Sequence, residues 1–433
     1  MDHLPLIGRY WPFASGELHV SDVPIRAIVA QYGTPLFLYA TRVLDMKWAL
    51  LRRTLPPEFA IYYSVKANPN PAILQHFLAK GCGLEIASGG ELHYALWAGC
   101  PPQKILFAGP GKTEAELELA LIHGIGEIHV ESSLEAERIG AISRRLGVQA
   151  RVAVRVNPSS EAQGGAMRMG GKPVPFGVDE ECLDTLLDHL VSDNAVVFRG
   201  LHLFSGTQIL DHTLLVNQYR KGLEIARRVA TRLQRPLPTL DFGGGFGIPY
   251  FANEQELNME ALREELVGLM AEVKDDPLLA GTQFLVEPGR YLVGESGIYV
   301  ASVMDIKVSR GKTFLITDGG MHHHLAASGN LGQVMKRNFP VALLNKVEAS
   351  PTETVDVVGP LCTPLDVLAR NVPLPAAEVG DIVGVLQSGA YARTASPLGF
   401  LSHPAPAEVL VQEGKARLIR RRGTYDDLFR DLC

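Results

Sequence analysis

Between residues 36 and 290 the chain alternates short apolar runs with longer segments of helical period. The runs are IYYSV (61–65), GLEI (83–86), ILF (105–107), IHV (128–130), VAVRV (152–156), GLHL (200–203), TLDF (239–242) and QFLV (283–286). Between them stand stretches such as EAELELALIHG and LLVNQYRKGLEIARRVATRL, with apolar residues at helical spacing. Such alternation predicts parallel strands joined by crossover helices. Eight repeats of it predict a (β/α)8 barrel, an α/β fold whose active site lies at the C-terminal ends of the strands. A doubly wound open sheet is the competing reading, which periodicity alone leaves open. After residue 290 come β-branched runs, GIYVASVMDIKV, TFLITDG, ETVDVVG, DIVGVLQ and AEVLVQ, separated by Gly, Pro and Asp. That texture predicts a second, mostly β domain over 291–433, following a barrel over 36–290.

A chain of 433 residues, 46% hydrophobic, has ample material for two cores. Its net charge of −6 gives no footprint for nucleic acid. The opening MDHLPLIGRYWPF lacks a basic segment followed by an apolar one, so no signal peptide is expected. No apolar run approaches the roughly 18 residues of a membrane span. Cys82, Cys100, Cys182, Cys362 and Cys433 are dispersed, odd in number and without a CxxC pair. They argue against a disulfide framework or zinc site and for a reducing cytoplasm. No metal is expected: His322-His323-His324 lack the i,i+4 spacing of a helical pair and an adjoining carboxylate. The basic run RLIRRRG reads as a solvated face, or more sharply as a dock for an acidic carrier protein.

Chemistry gathers after the strands. YYSVKAN places Lys66 directly after a buried run. Desolvation lowers a lysine's pKa, and a neutral amine is what forms an imine with an aldehyde; the plainer reading is a lysine reaching solvent. LDFGGGFG supplies Gly243, Gly244 and Gly245, where backbone N–H groups can approach an anion without Cβ obstruction, or simply a tight turn. VEPGR sets Glu287, Gly289 and Arg290 after the eighth run, as active-site groups or as a surface pair.

Six ordered motifs, YYSVKANPNPAIL, GLHLFSGTQ, LDFGGGFG, VEPGR, GPLCTPLD and QSGAYA, resemble the fold-type III pyridoxal-phosphate (PLP) decarboxylases that act on diaminopimelate, ornithine and arginine. The resemblance covers nearly the whole chain. It implies a PLP barrel of the alanine-racemase type and a β domain completed by the N-terminal segment 1–35. It also implies a homodimer whose active sites take residues from both chains. By that resemblance Lys66 is the internal aldimine lysine. Gly243, Gly244, Gly245, Gly289 and Arg290 form the phosphate cradle, and Tyr391 contacts the phosphate. Glu287 matches the carboxylate paired with the pyridine nitrogen, which makes the ring a stronger electron sink. Alanine racemases of this fold carry an arginine there, so Glu287 favours decarboxylation. Cys362 matches the cysteine from the partner subunit that reprotonates Cα.

Two departures shape the expected specificity. Phe204 stands where the family has a histidine that stacks on the PLP ring; an aromatic ring can still stack. His202, two residues earlier, shares that strand face and is expected to line the site. Thr363 replaces the acidic residue that holds the distal ammonium of basic substrates, so the charge-assisted bond is missing; Asp366 remains as a polar substrate contact. The stretches GGAMRMGGKPVPFGVDE, TDGGMHHHLAAS and GPLCTPLDVL resemble a narrower group, the L-glutamyl-[acyl-carrier protein] decarboxylase of butirosin biosynthesis. The expected activity is therefore PLP-dependent decarboxylation of an amino acid or a carrier-linked amino acid. Diaminopimelate decarboxylation is the alternative. A racemase is disfavoured by Glu287 and Cys362, and a noncatalytic regulator like the antizyme inhibitors by the retained cofactor residues.

Overall fold

The computed structural model describes residues 7–159, 167–168, 173–204, 206–251, 253–333 and 336–433. Ser205 and part of the GGAMRMGGKPVPFGVDE stretch lie outside the described residues. The chain divides into two compact units, one of residues 49–248 and 256–291, the other of 1–48, 249–255 and 292–433. Among the described residues no helix is long and apolar enough to cross a membrane.

The first unit holds eight parallel strands: β1 (Phe59–Ser64), β2 (Gly83–Ile86), β3 (Ile105–Phe107), β4 (Glu127–Val130), β5 (Ala150–Asn157), β6 (Val196–Leu203), β7 (Thr239–Asp241) and β8 (Gln283–Val286). They pair in the order β5-β6-β7-β8-β1-β2-β3-β4, and β4 pairs back with β5. The sheet is closed, which excludes the open doubly wound alternative and gives the (β/α)8 barrel. The connections turn into helices where the sequence supplies caps. Ser88 caps Gly89–Trp97, a Thr113–Glu116 capping box opens Glu114–His123, and Asp211 caps His212–Leu233.

Strand alternation sorts the side chains. On β1, Phe59 and Tyr63 face the helices: Phe59 packs with Phe242, Phe284 and Tyr219, and Tyr63 with Phe77. Tyr62 and Ser64 therefore face the interior. There the buried residues include Glu85, Glu127, His129, Arg155, His202 and Asp241. A purely structural barrel fills this space with branched apolar residues. Burying so many ionisable groups is costly unless they are paired, which marks the interior as a site.

In the second unit a sheet runs in the order Val367–Leu374, Glu353–Val358, Lys312–Thr317, Gly297–Ser309, Leu36–Ala40, Ala407–Gln412, Lys415–Arg420. Its core joins Trp11, Leu18, Ile25 and Ile28 of the N-terminal segment to Leu36, Leu38, Ile298, Val300, Val409 and Val411. The sequence boundary at residue 36 needs correction. Leu36–Ala40 pairs antiparallel with Gly297–Ser309 and parallel with Ala407–Gln412, so it belongs to the β unit and not to the barrel. LFLYA is buried on both faces, and a fully apolar run does not reveal which sheet it joins.

Candidate active site

β1 ends in a single turn of 3₁₀ helix, Val65–Ala67, which carries Lys66 out of the strand. Its Nζ lies 3.1 Å from both carboxylate oxygens of Glu85 on β2. Glu85 also accepts from Ser64 Oγ. The expected desolvation of this lysine is corrected by the structure: its side chain is 43% exposed while Glu85 is buried. The amine is held by an ion pair at the barrel mouth.

Glu287 follows β8 and is buried. Its Oε2 lies 3.4 Å from His202 Nε2, and its Oε1 lies 3.8 Å from His129 Nδ1. Burial alone would raise this carboxyl; His202, His129 and the Lys66 ammonium outweigh it and hold Glu287 well below the usual carboxylate range. Burial pushes His202 down to about 4, against the attraction of Glu287. Asp241, on β7, is pushed well up by burial and then by the Glu287 charge. Of the two carboxyls, Glu287 is thus the one whose charged form is favoured and Asp241 the one whose neutral form is favoured. His202, expected to line the site, lies buried against Glu287.

The glycines after β7 and β8 sit where a side chain has no room. A Cβ on Gly244 would lie 2.6 Å from the Glu287 carbonyl oxygen, and one on Gly289 would lie 2.9 Å from Ala67 Cβ. Gly243 has φ +66°, and its Cβ would strike the Phe204 ring at 2.8 Å. Gly245 has φ +98°. Arg290 opens the short helix Arg290–Val293 directly after Gly289. Phe204 also faces the Arg155 guanidinium at 5.9 Å; Arg155 packs on Phe176 and pairs with Glu131 at 2.9 Å. Bare backbone beside a buried, ionised carboxylate with an orphaned Oε1, next to a tethered amine, suits PLP: a phosphate needs the first, a protonated ring nitrogen the second, an aldehyde the third.

Cys362, Thr363, Asp366 and Tyr391 belong to the β unit. Cys362 is exposed and Thr363 half-buried. Tyr391 adopts φ 52° in the QSGAYA turn. Asp366 is a correction: it is 3% exposed, and its oxygens accept from Met321 N at 2.6 Å and Leu361 N at 2.8 Å. Asp366 staples the Cys362 loop to the segment before the histidine triplet, and both its oxygens are occupied in doing so. Of that triplet, His323 bonds Tyr299 Oη and Pro404 O, and His324 bonds Ser388 Oγ. Both histidines are thus structural.

Sequence reading missed Glu85, Glu127, His129, Arg155 and Asp241. The signal was present in Glu85 within GLEI and His129 within IHV, since an ionisable residue in a buried run needs a partner.

The family described as "Pyridoxal-dependent decarboxylase, pyridoxal binding domain" matches residues 42–294. The L-glutamyl-[BtrI acyl-carrier protein] decarboxylase of Niallia circulans is 38% identical over 95% of this chain and 96% of its own. The diaminopimelate decarboxylase of Aquifex aeolicus is 32% identical over 98% of each chain. The crystal structure of diaminopimelate decarboxylase from M. jannaschii in complex with L-lysine superimposes with a TM-score of 0.90, at 26% identity over 98% of each chain. With barrel, glycine cradle and buried carboxylate in place, the chain belongs to the PLP-dependent decarboxylases and is an amino-acid decarboxylase.

Proposed function

We propose that this decarboxylase acts on a conjugated amino acid, with a carrier-linked L-glutamyl group as the leading candidate. The observation that carries the reading is Thr363, a neutral residue in GPLCT where basic substrates need a carboxylate. Two relatives support it by name. The 38% identical Niallia circulans enzyme acts on a glutamyl group on a carrier protein. A 30% identical Staphylococcus aureus relative is named for a substrate in which alanine is joined through a carbamoyl group.

When bound, PLP supplies an electron sink for the pair left at Cα as carbon dioxide departs. In our reading Lys66 provides the attaching amine, which Glu85 keeps oriented beforehand. Glu287, backed by His202, would hold the ring nitrogen, and Phe204 would supply an aromatic face for the ring. Gly243, Gly244, Gly245, Gly289, Arg290 and Tyr391 receive the phosphate. Cys362 of a partner subunit would be the acid that returns a proton to the substrate, so the working unit is a homodimer with shared sites, and the chain's dispersed cysteines suit the cytoplasm. The neutral Thr363 leaves space for an acylated side chain and offers nothing to an ammonium.

The test compares kcat/KM for carrier-linked L-glutamate with that for free lysine, ornithine and meso-diaminopimelate. The missing charged hydrogen bond is worth about 1.5–3 kcal/mol, so the diamino acids should lag by roughly 10- to 150-fold. Thr363→Glu should narrow that gap from both sides. Turnover of free meso-diaminopimelate above that of the carrier-linked substrate would install the diaminopimelate decarboxylase reading instead.

A further inference from the structure

The carboxylate of Glu287 sits at the head of a buried chain of ionisable groups. Beyond its contact with Glu287, His129 places Nε2 3.3 Å from Glu127 Oε1 and 4.0 Å from Asp241 Oδ2. Glu127 and His129 are two residues apart on β4, so both point into the barrel. The second oxygen of Glu127 accepts from Thr239 Oγ1 at 2.9 Å. Asp241 Oδ1 accepts from Gly243 N at 2.7 Å, and Glu287 N donates to Gly243 O at 2.7 Å. The His129 and His202 rings lie 4.4 Å apart.

His323 and His324 find backbone and hydroxyl partners at 2.8–3.2 Å. In the barrel, both ring nitrogens of His129 and His202, with Glu127 Oε1, Asp241 Oδ2 and Glu287 Oε1, are buried with no hydrogen bond. Outside the barrel, His322 too keeps both ring nitrogens buried without a hydrogen bond, so what sets this cluster apart is the convergence of two histidines and three carboxylates. Buried unpaired polar atoms are rare, and a group of them calls for a functional account. Active-site contacts are often long before a ligand arrives and tighten when it binds.

We propose that His129 is a positioning residue for the ring-nitrogen contact: anchored at Nε2 by Glu127, it steadies Glu287 through Nδ1. Asp241 ties the same network to the glycine loop, so the two ends of the cofactor are set by one buried assembly. The proposal rests on the assignment of Glu287 to the ring nitrogen. Outer-shell groups of this kind fix the orientation of the residue that makes the contact.

The test measures binding of PLP and of its 1-deaza analogue, in which carbon replaces the ring nitrogen, to the apo form of the full chain. Wild type, Glu287→Gln, His129→Leu and Glu127→Gln are compared. His129→Leu should weaken PLP about tenfold more than it weakens the analogue, and Glu127→Gln, which keeps its shape, should act in the same direction. Equal losses for both ligands would show a packing role and overturn the proposal, as would no loss. If Glu287→Gln separates the ligands while the His129 and Glu127 variants do not, His129 is excluded and the Glu287 assignment stands. If Glu287→Gln fails to separate them, the assignment falls and takes the proposal with it. Should His129→Leu not fold, Glu127→Gln decides.

Discussion

Replacing Asp366 with asparagine tests whether this residue holds a loop or a substrate. Asp366 accepts two backbone N–H groups, Met321 at 2.6 Å and Leu361 at 2.8 Å, from a position that is 3% exposed. Asparagine keeps one acceptor and turns its NH2 toward the other N–H. Losing a charged hydrogen bond removes about 1.5–3 kcal/mol, and the stranded N–H adds about 1–3 kcal/mol. Burial raises the Asp366 carboxyl, so part of this is offset when the charge is removed. A net loss of about 2–4 kcal/mol follows. Urea unfolding of the holoenzyme should show it as a lowered midpoint at unchanged slope, and Cys362, carried by the same loop, should react faster with a thiol reagent. Stability within about 0.5 kcal/mol of wild type together with a raised KM would refute the staple and restore the substrate contact.

Lys66→Ala should abolish the visible absorbance of attached cofactor without unfolding the chain, and borohydride reduction of the wild type should leave the pyridoxyl group on the peptide containing Lys66; label on another lysine would refute the assignment. Lys66→Ala and Cys362→Ala should each be nearly inactive, and mixing them should recover activity through heterodimers with one intact site; heterodimers shown to form without recovery would exclude the shared site. Acid should destabilise the fold early. Buried His202 and His322 are lowered to about 4, and His324 to about 3, chiefly by desolvation, against about 6.5 unfolded. The unfolded chain therefore binds more protons between those limits. Their contribution is whole above about pH 6.5 and drains away as pH falls toward 4. Asp241, with its raised carboxyl, and Glu91, raised to about 7 by burial, work in the opposite direction, two acids against the buried histidines. Urea midpoints at pH 7, 6 and 5 should fall in that order, and a flat profile would contradict the burial argument.

The barrel was legible because each strand is an apolar run of its own. IYYSV, GLEI and the other six runs fall on β1–β8, with ends moved by a residue or more at several. Leu36–Ala40 was misplaced for the same reason: a run buried on both faces carries no mark of its partners. Lys66, Glu287 and the glycines stood out by their place after strands together with the six ordered motifs, since each taken alone also reads as a solvent-reaching lysine, a surface pair or a tight turn. His129 was hidden inside IHV, a run read as apolar, and Glu127 stands just before it; their partners come from β6, β7 and the turn after β8. Asp366 looked like a free polar group, because the two N–H groups it serves belong to a loop and a distant turn that no local pattern connects.

The placement of Leu36–Ala40 also bears on how the protein is made. This strand leaves the ribosome before the barrel, yet its two neighbours are Gly297–Ser309 and Ala407–Gln412. The barrel strands, complete at Val286, can close while the chain is still being extended. One edge of the N-terminal strand can pair once Gly297–Ser309 has been made, but the other must wait until Ala407–Gln412, nearly the last strand, has been synthesised. Pairings so remote in sequence form late, because loop closure must be met before contacts reward it. A chain interrupted short of residue 412 can therefore hold a finished barrel while the LFLYA segment keeps an open edge, the kind of feature by which incomplete products aggregate or are removed.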